Sequence, residues 1–200
     1  LVAARRLCLE KPEFTEDLAK ACTAVLDAAQ TSPLERAIAL NNRSFAQADT
    51  ARQDLDEALR LAPHIAKLYN NRGLHRMYPD AREALPDFDA AIRLDPHYAV
   101  AWNNRGEAYA SLKEYDRAIA DFDHAIRLAP FYLHPMYNPY EQKAQALEAK
   151  GDATAAEVVR RHYFPLFDRV TTREVRTVAV RGARAWEPFL SLADVKTLPR

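Results

Sequence analysis

Three stretches of this chain end in the same way. ALRLAPH at 58–64, AIRLDPH at 91–97 and AIRLAPF at 125–131 each close an apolar helical pattern on a proline, and Pro63, Pro96 and Pro130 stand 33 and 34 residues apart. A period in that range restricts the chain to stacked helix-turn-helix units, because one helix pair leaves an apolar face that only a neighbouring pair can cover. Proline ends the second helix of each unit, since it cannot continue the hydrogen-bond ladder. Inside the first helix of each unit the polar tripeptide NNR recurs, at 41–43, 70–72 and 103–105.

Composition narrows the partners. The 200 residues are 48% hydrophobic, and 28 Lys+Arg balance 28 Asp+Glu, so the bulk positive charge of a nucleic-acid binder or a membrane-surface helix is missing. No stretch reaches the roughly 18 to 20 consecutive apolar residues of a membrane-spanning helix. The sequence starts at Leu1 without Met, which suggests a removed leader or a start lying upstream, and the lack of a signal peptide says nothing.

Within the period the chain resembles the tetratricopeptide repeat family, whose pattern is W-x2-L-G-x2-Y, then A-x3-F, then P. The fullest copy reads Trp102, Arg105, Gly106, Tyr109, Ala118, Phe122 and Pro130. A second reads Tyr69, Arg72, Gly73, Arg76, Ala84, Phe88 and Pro96, and a first Leu40, Arg43, Ser44, Gln47, Ala51, Leu55 and Pro63. A degenerate fourth follows at Tyr140, Lys143, Ala144, Leu147, Ala156 and Arg160. Physically, Gly73, Gly106, Ala84 and Ala118 let paired helices approach, while Trp102, Tyr109 and Phe122 fill the space between them. Only three residues separate Gln47 from Ala51, so the first pair needs a short helix or an unusual turn. Pro86 is tolerable only if it falls in a first helical turn. The aromatic stretch FYLHPMYNPY at 131–140 reads as a packed loop or a lip facing a partner.

The resemblance also implies where a partner would lie. First helices of such arrays line a concave face and often carry an Asn at the positions here held by Asn42, Asn71 and Asn104. An Asn amide can bond both the N–H and the C=O of an extended peptide, so a repeated Asn could read backbone. Phe45, Leu74, Met77 and Tyr78 map around these residues, with Lys67 the main cation, a lining suited to an extended, partly apolar segment. The alternative is architectural: the three amides satisfy neighbouring backbone or water. A clamp for a terminal carboxylate needs several converging cations, and Asn41, Asn70 and Asn103 stand where such clamps place Lys, which argues against that role.

Arg43, Arg72 and Arg105 recur alongside Asp54/Asp56, Asp87/Asp89 and Asp121/Asp123, a pattern that pairs Arg of one helix with Asp of a neighbouring second helix. Residues two apart on a helix diverge, so the Asp pairs do not make a metal site. The six histidines form no metal-ligand pair of the HExxH kind, and His64 and His97 follow closing prolines as solvated turn residues. Gly151 is a turn glycine, not part of a phosphate loop. No nucleophile motif is present, and the sequence implies no enzyme and no cofactor.

Upstream, Ser32-Pro33-Leu34-Glu35 is a helix start with a capping box. Leu18, Ala21, Val25 and Ala28 have helical spacing and suggest the second half of an incomplete leading repeat that caps the stack. Cys8 and Cys22 lie on the two arms of this half-repeat with Pro12 between them, so a reversal could join them in a disulfide. Similar pairs precede the repeats of some exported bacterial members of the family, which favours a periplasmic or otherwise exported location. Two buried free thiols in a cytoplasmic protein are the alternative. After Phe164-Pro165 the tail is mildly basic. EVRTVAVRG has strand-like residues, and AWEPFLSL suits a short docking helix. The tail is either a partner-binding arm or a segment folded back on the last helices or partly disordered.

The sequence thus predicts an all-α, right-handed superhelical solenoid of antiparallel helix pairs with an irregular C-terminal tail. Its divisions are a capping half-repeat at 1–36, three repeats and a degenerate fourth at 37–163, and the tail at 164–200. The expected function is a non-catalytic module that holds an extended segment or helix of another protein, as adaptor or assembly factor. A subunit packed permanently in a larger complex and a regulatory domain of a longer enzyme are the alternatives.

Overall fold

The structure, a computed structural model, describes residues 1–10, 12, 15, 17–78, 80–130, 138–169 and 189–196, the side chains of 163–169 and 196 excepted. Phe14, Pro79, the aromatic residues 131–137 and the tail at 170–188, with its strand-like stretch, lie outside these residues. Every regular element among the described residues is helical. The chain forms two compact units, Leu1–His75 with Glu187–Arg200, and Arg76–Trp186.

In the first unit, α1 (Val2–Arg5) runs into a π-type turn, Arg6–Glu10. The helices α2 (Leu18–Asp27), α3 (Pro33–Ala46), α4 (Ala51–Leu61) and α5 (Ala66–Arg76) follow. Ser32 starts α3 with the expected box: its hydroxyl accepts from the Glu35 N–H at 3.3 Å, and the Glu35 carboxylate accepts from the Ser32 N–H at 2.9 Å. The short interval after Gln47 is a single 3-10 turn, Ala48–Thr50. α2 packs its Leu18, Ala21, Cys22, Val25 and Leu26 face into the unit, against α3. Ile38, Leu55, Ile65 and Leu68 are almost wholly buried, each contributing about 1.5 to 3 kcal/mol of hydrophobic stabilisation. Cys8 and Cys22, both fully buried, are joined as a disulfide between the π-type turn and α2, with Cα atoms 5.1 Å apart.

The last described element, α11 (Leu192–Lys196), also belongs to this unit. From the sequence, AWEPFLSL suits a short docking helix, and the tail is either a partner-binding arm or a segment folded back on the last helices or partly disordered. Instead Phe189, Leu190 and Ser191 are not helical, the helix starts at Leu192, and the segment packs with Leu9, Leu18, Ile38 and Leu68 of the first unit. Ser191 and Asp194 form a second reciprocal cap at the start of α11.

The second unit contains α6 (Ala81–Leu94), α7 (Ala99–Ser111), α8 (Tyr115–Leu128), α9 (Pro139–Lys150) and α10 (Ala153–Arg169), each packed on the next. At Gly106 a Cβ would lie 2.7 Å from the Phe122 ring and 3.2 Å from the Ala118 carbonyl oxygen, so the close approach of α7 and α8 requires glycine there. Gly151 ends α9 in the left-handed region, φ 99°, where side chains are disfavoured. Pro86 lies inside α6, past its first turn, so the condition set for it from the sequence is not met. It leaves the carbonyl of Arg82, an exposed residue, without its helical donor. Trp102 is only half-buried; its indole N–H donates to the Pro96 carbonyl at 3.0 Å and its ring stacks on His124 at 3.9 Å.

The arginines of NNR staple helix to helix in a staggered scheme. Arg43 forks onto Asp54 of its own repeat at 2.7 and 2.8 Å. Arg72 takes Asp56 of the preceding repeat at 2.8 Å. Arg105 does both, forking onto Asp121 at 2.7 and 2.8 Å and reaching Asp89 at 2.7 Å. Lys143, in the corresponding place of the fourth copy, takes Asp123 at 2.6 Å. Bidentate geometry and partial burial make such pairs stronger than ordinary surface bridges, and the two carboxylates hold the Arg105 guanidinium charged, above its ordinary range.

Candidate functional site

Asparagine in mid-helix is a poor helix former, and a buried one must find partners for two donors and an acceptor oxygen. Asn41, Asn42, Asn70 and Asn71 of the first unit are all 0 or 1% exposed. They satisfy one another across α3 and α5: Asn71 donates to the Asn41 amide oxygen at 2.8 Å, Asn41 to Asn42 at 3.0 Å, and Asn70 to Asn71 at 3.3 Å. The three sites that the repeat pattern makes equivalent are therefore not equivalent. Asn71 bonds its amide to the neighbouring helix, and within this unit α3 has no earlier repeat to offer Asn42 the same partner.

Asn42 is completed by main chain from elsewhere. Its Nδ2 donates to the Cys8 carbonyl and to the Leu190 carbonyl, each at 2.7 Å, and its Oδ1 accepts from the Leu190 N–H at 2.8 Å. One amide thus takes both backbone groups of one non-helical residue, as a β-strand neighbour would. Around it, the Lys67 ammonium donates to the Phe189 carbonyl at 2.8 Å, and the Phe45 ring meets the Phe189 ring edge-on at 6.1 Å between centroids. Phe189 and Leu190 are 5% and 2% exposed. The site holds main chain by hydrogen bonds and side chains by apolar contact, and its occupant is the chain's own C-terminal segment.

Of the residues expected at a partner site, Asn42, Phe45 and Lys67 converge on this segment. Asn71 bonds Asn41, which in turn bonds Asn42, and Leu74 is part-buried on α5. Asn104, Met77 and Tyr78 belong to the second unit, the first two buried and Tyr78 78% exposed. His75 lies beside Phe45 with ring centroids 5.1 Å apart, and burial pushes its imidazole below the ordinary value.

The second unit contains a contrasting cluster that sequence reasoning missed. Asn103, the counterpart of Asn41, is fully buried and neither of its amide atoms has a hydrogen-bond partner. By register, Gln142 of the fourth copy stands where Asn71 stands and should serve Asn103, but it donates to the Glu107 carboxylate instead. Burial pushes the Glu107 carboxyl up to about 7, and the Gln142 bond opposes that rise. Glu107, Ser111, Tyr115, Gln142 and Gln145 line a cavity of about 360 Å³. The available signal was a break in register, since the place of Phe45 and Leu74 holds an acid here. Among the described residues no cluster could hold a metal, and no helix is long and apolar enough to cross a membrane.

Residues 99–132 match the model of the tetratricopeptide repeat. A crystal structure of the MamA protein is 22% identical with TM-score 0.64, covering 79% of this chain and 87% of that one. MamA from residue 41 to its end, of Desulfovibrio magneticus RS-1, is 19% identical with TM-score 0.64, over 78% of this chain and 88% of that one. The Arabidopsis OM64 TPR domain is 24% identical with TM-score 0.52, over 58% of this chain and 98% of that one. At these identities the likeness concerns the fold. No curated protein sequence matches the chain.

Proposed function

We propose that this chain, which has the tetratricopeptide fold and matches the repeat model at residues 99–132, is a non-catalytic interaction module which holds an extended segment of another protein against α3 and α5, as adaptor or assembly factor. The observation that carries this reading is the Asn42 amide, bonded to both the N–H and the C=O of Leu190. Such bonds read main chain and leave sequence choice to the flanking pockets. Lys67 adds a third main-chain contact, and Phe45 supplies an aromatic wall. The buried Cys8–Cys22 pair, whose Cys8 carbonyl also bonds Asn42, supports an oxidising, exported location as part of the same proposal.

The test is an array of extended peptides probed with the full chain and with a Phe45→Ala/Lys67→Ala variant whose helicity is checked by circular dichroism. We expect a specific subset of peptides to bind the chain and to lose at least about tenfold in affinity for the variant, the order expected when an anchor contact is removed. Identical binding by both proteins would move partner recognition away from this face.

A further inference from the structure

The occupant of the site has a definite chemistry. Phe189 sets an aromatic ring on Phe45. Leu190 is gripped at both backbone groups with its side chain buried, and Ser191 with Asp194 then turns the chain into α11, whose Leu192 and Val195 join the same apolar cluster. Five residues are too few for a helix to persist alone in water, so α11 owes its order to that cluster. The tertiary backbone bonds described for Phe189 and Leu190 run to side chains of two separate helices, Asn42 on α3 and Lys67 on α5. That is how a peptide docks, whereas a sheet strand pairs main chain with main chain.

Building on the peptide-binding reading above, we propose that Phe189–Asp194 is a built-in ligand that keeps the site of the first unit closed, and that the partner segment displacing it carries the same pattern: an aromatic residue, a leucine, then Ser or Thr with an acid three residues on. The main-chain bonds tolerate any sequence, so the choice among partners rests on the aromatic contact, the leucine pocket and the capped helix start. The built-in segment is covalently joined to its site and competes without dilution. It therefore weakens every incoming peptide by the reciprocal of the fraction of time the site stands open.

The test uses the full-length chain and its Phe189→Ala/Leu190→Asp variant, with a fluorescent peptide copying residues 187–196, a copy in which Asp replaces Leu190, and a panel of unrelated extended peptides. The variant is expected to bind the first peptide at least about tenfold tighter than the unsubstituted chain does, and not to bind the Asp copy. If the folded variant binds panel peptides that lack the aromatic–leucine pair and ignores the copy, the built-in-ligand proposal falls while the general peptide-binding reading stands. If it binds no peptide, both fall. Should the variant not fold, hydrogen exchange of the unsubstituted chain decides. Exchange of the 189–196 amides well ahead of those of α3, quickened in a Lys67→Ala variant, supports a displaceable ligand, and exchange of both together in global unfolding overturns it.

Discussion

The two units write the same tripeptide and complete it differently. In the first, the amides of Asn41 and Asn42 are both bonded, because Asn71 serves one and the Leu190 backbone serves the other. In the second, Asn103 is equally buried and has no partner at either amide atom, because Gln142 has turned to Glu107. A repeated polar residue therefore has no fixed role. It bonds its neighbours where the next repeat supplies a matching amide, and it takes other main chain of the protein or is left an orphan where the series ends.

Paired substitutions can break that comparison. Asn42→Ala leaves the Cys8 carbonyl and both backbone groups of Leu190 without their partner, and should cost about 3 to 5 kcal/mol by urea denaturation. Asn103→Leu removes an amide that bonds nothing, and should change stability by no more than about 1 kcal/mol, in either direction. Equal costs for the two would end the distinction.

A second experiment acts on the first unit alone. Reducing the Cys8–Cys22 link releases a 14-residue separation and should lower stability by about 3 kcal/mol. Limited proteolysis with and without reductant should show the added cleavage in residues 1–75, with 76–186 unchanged.

A third expected effect is pH-dependent and belongs to the second unit. The folded value of the Glu107 carboxyl, about 7, exceeds its ordinary 4.5. Its contribution is therefore fully present below about 4.5 and is lost as pH rises through 7. Glu107→Gln should raise stability at pH 8 by up to about 3 kcal/mol and leave it nearly unchanged at pH 4.5. A gain of equal size at both pH values would assign the effect to packing and not to charge.

Much of this was legible in sequence because it is periodic or local. The closing prolines, the Ser32–Glu35 box and the Arg43–Asp54 and Arg105–Asp121 pairs follow from spacings within one or two helices. Gly106 beneath Phe122 was likewise visible as a small residue opposite a large one. The docking of Leu190 on Asn42 was not, for it joins residues 148 positions apart through the backbone of Leu190, which leaves no mark in side-chain type. Nor could spacing separate Asn42 from Asn71, because the difference lies in which neighbour each helix has. Glu107 was readable in principle, as an acid in a register otherwise held by Phe45 and Leu74. Its meaning depended on Gln142, which local pattern does not place beside it.

The staggered salt bridges also bear on how such a chain can grow. Each Asp pair gives one carboxylate to its own repeat and one to the repeat that follows, as Asp121 and Asp123 do for Arg105 and Lys143. Duplicating or deleting a whole repeat at its closing proline preserves every such partnership, because the new junction presents the same donor and the same acceptor. Cutting between the paired helices strands an arginine and a carboxylate at once. The charge pattern thus makes the 33- to 34-residue segment the unit in which this protein can change length over evolutionary time.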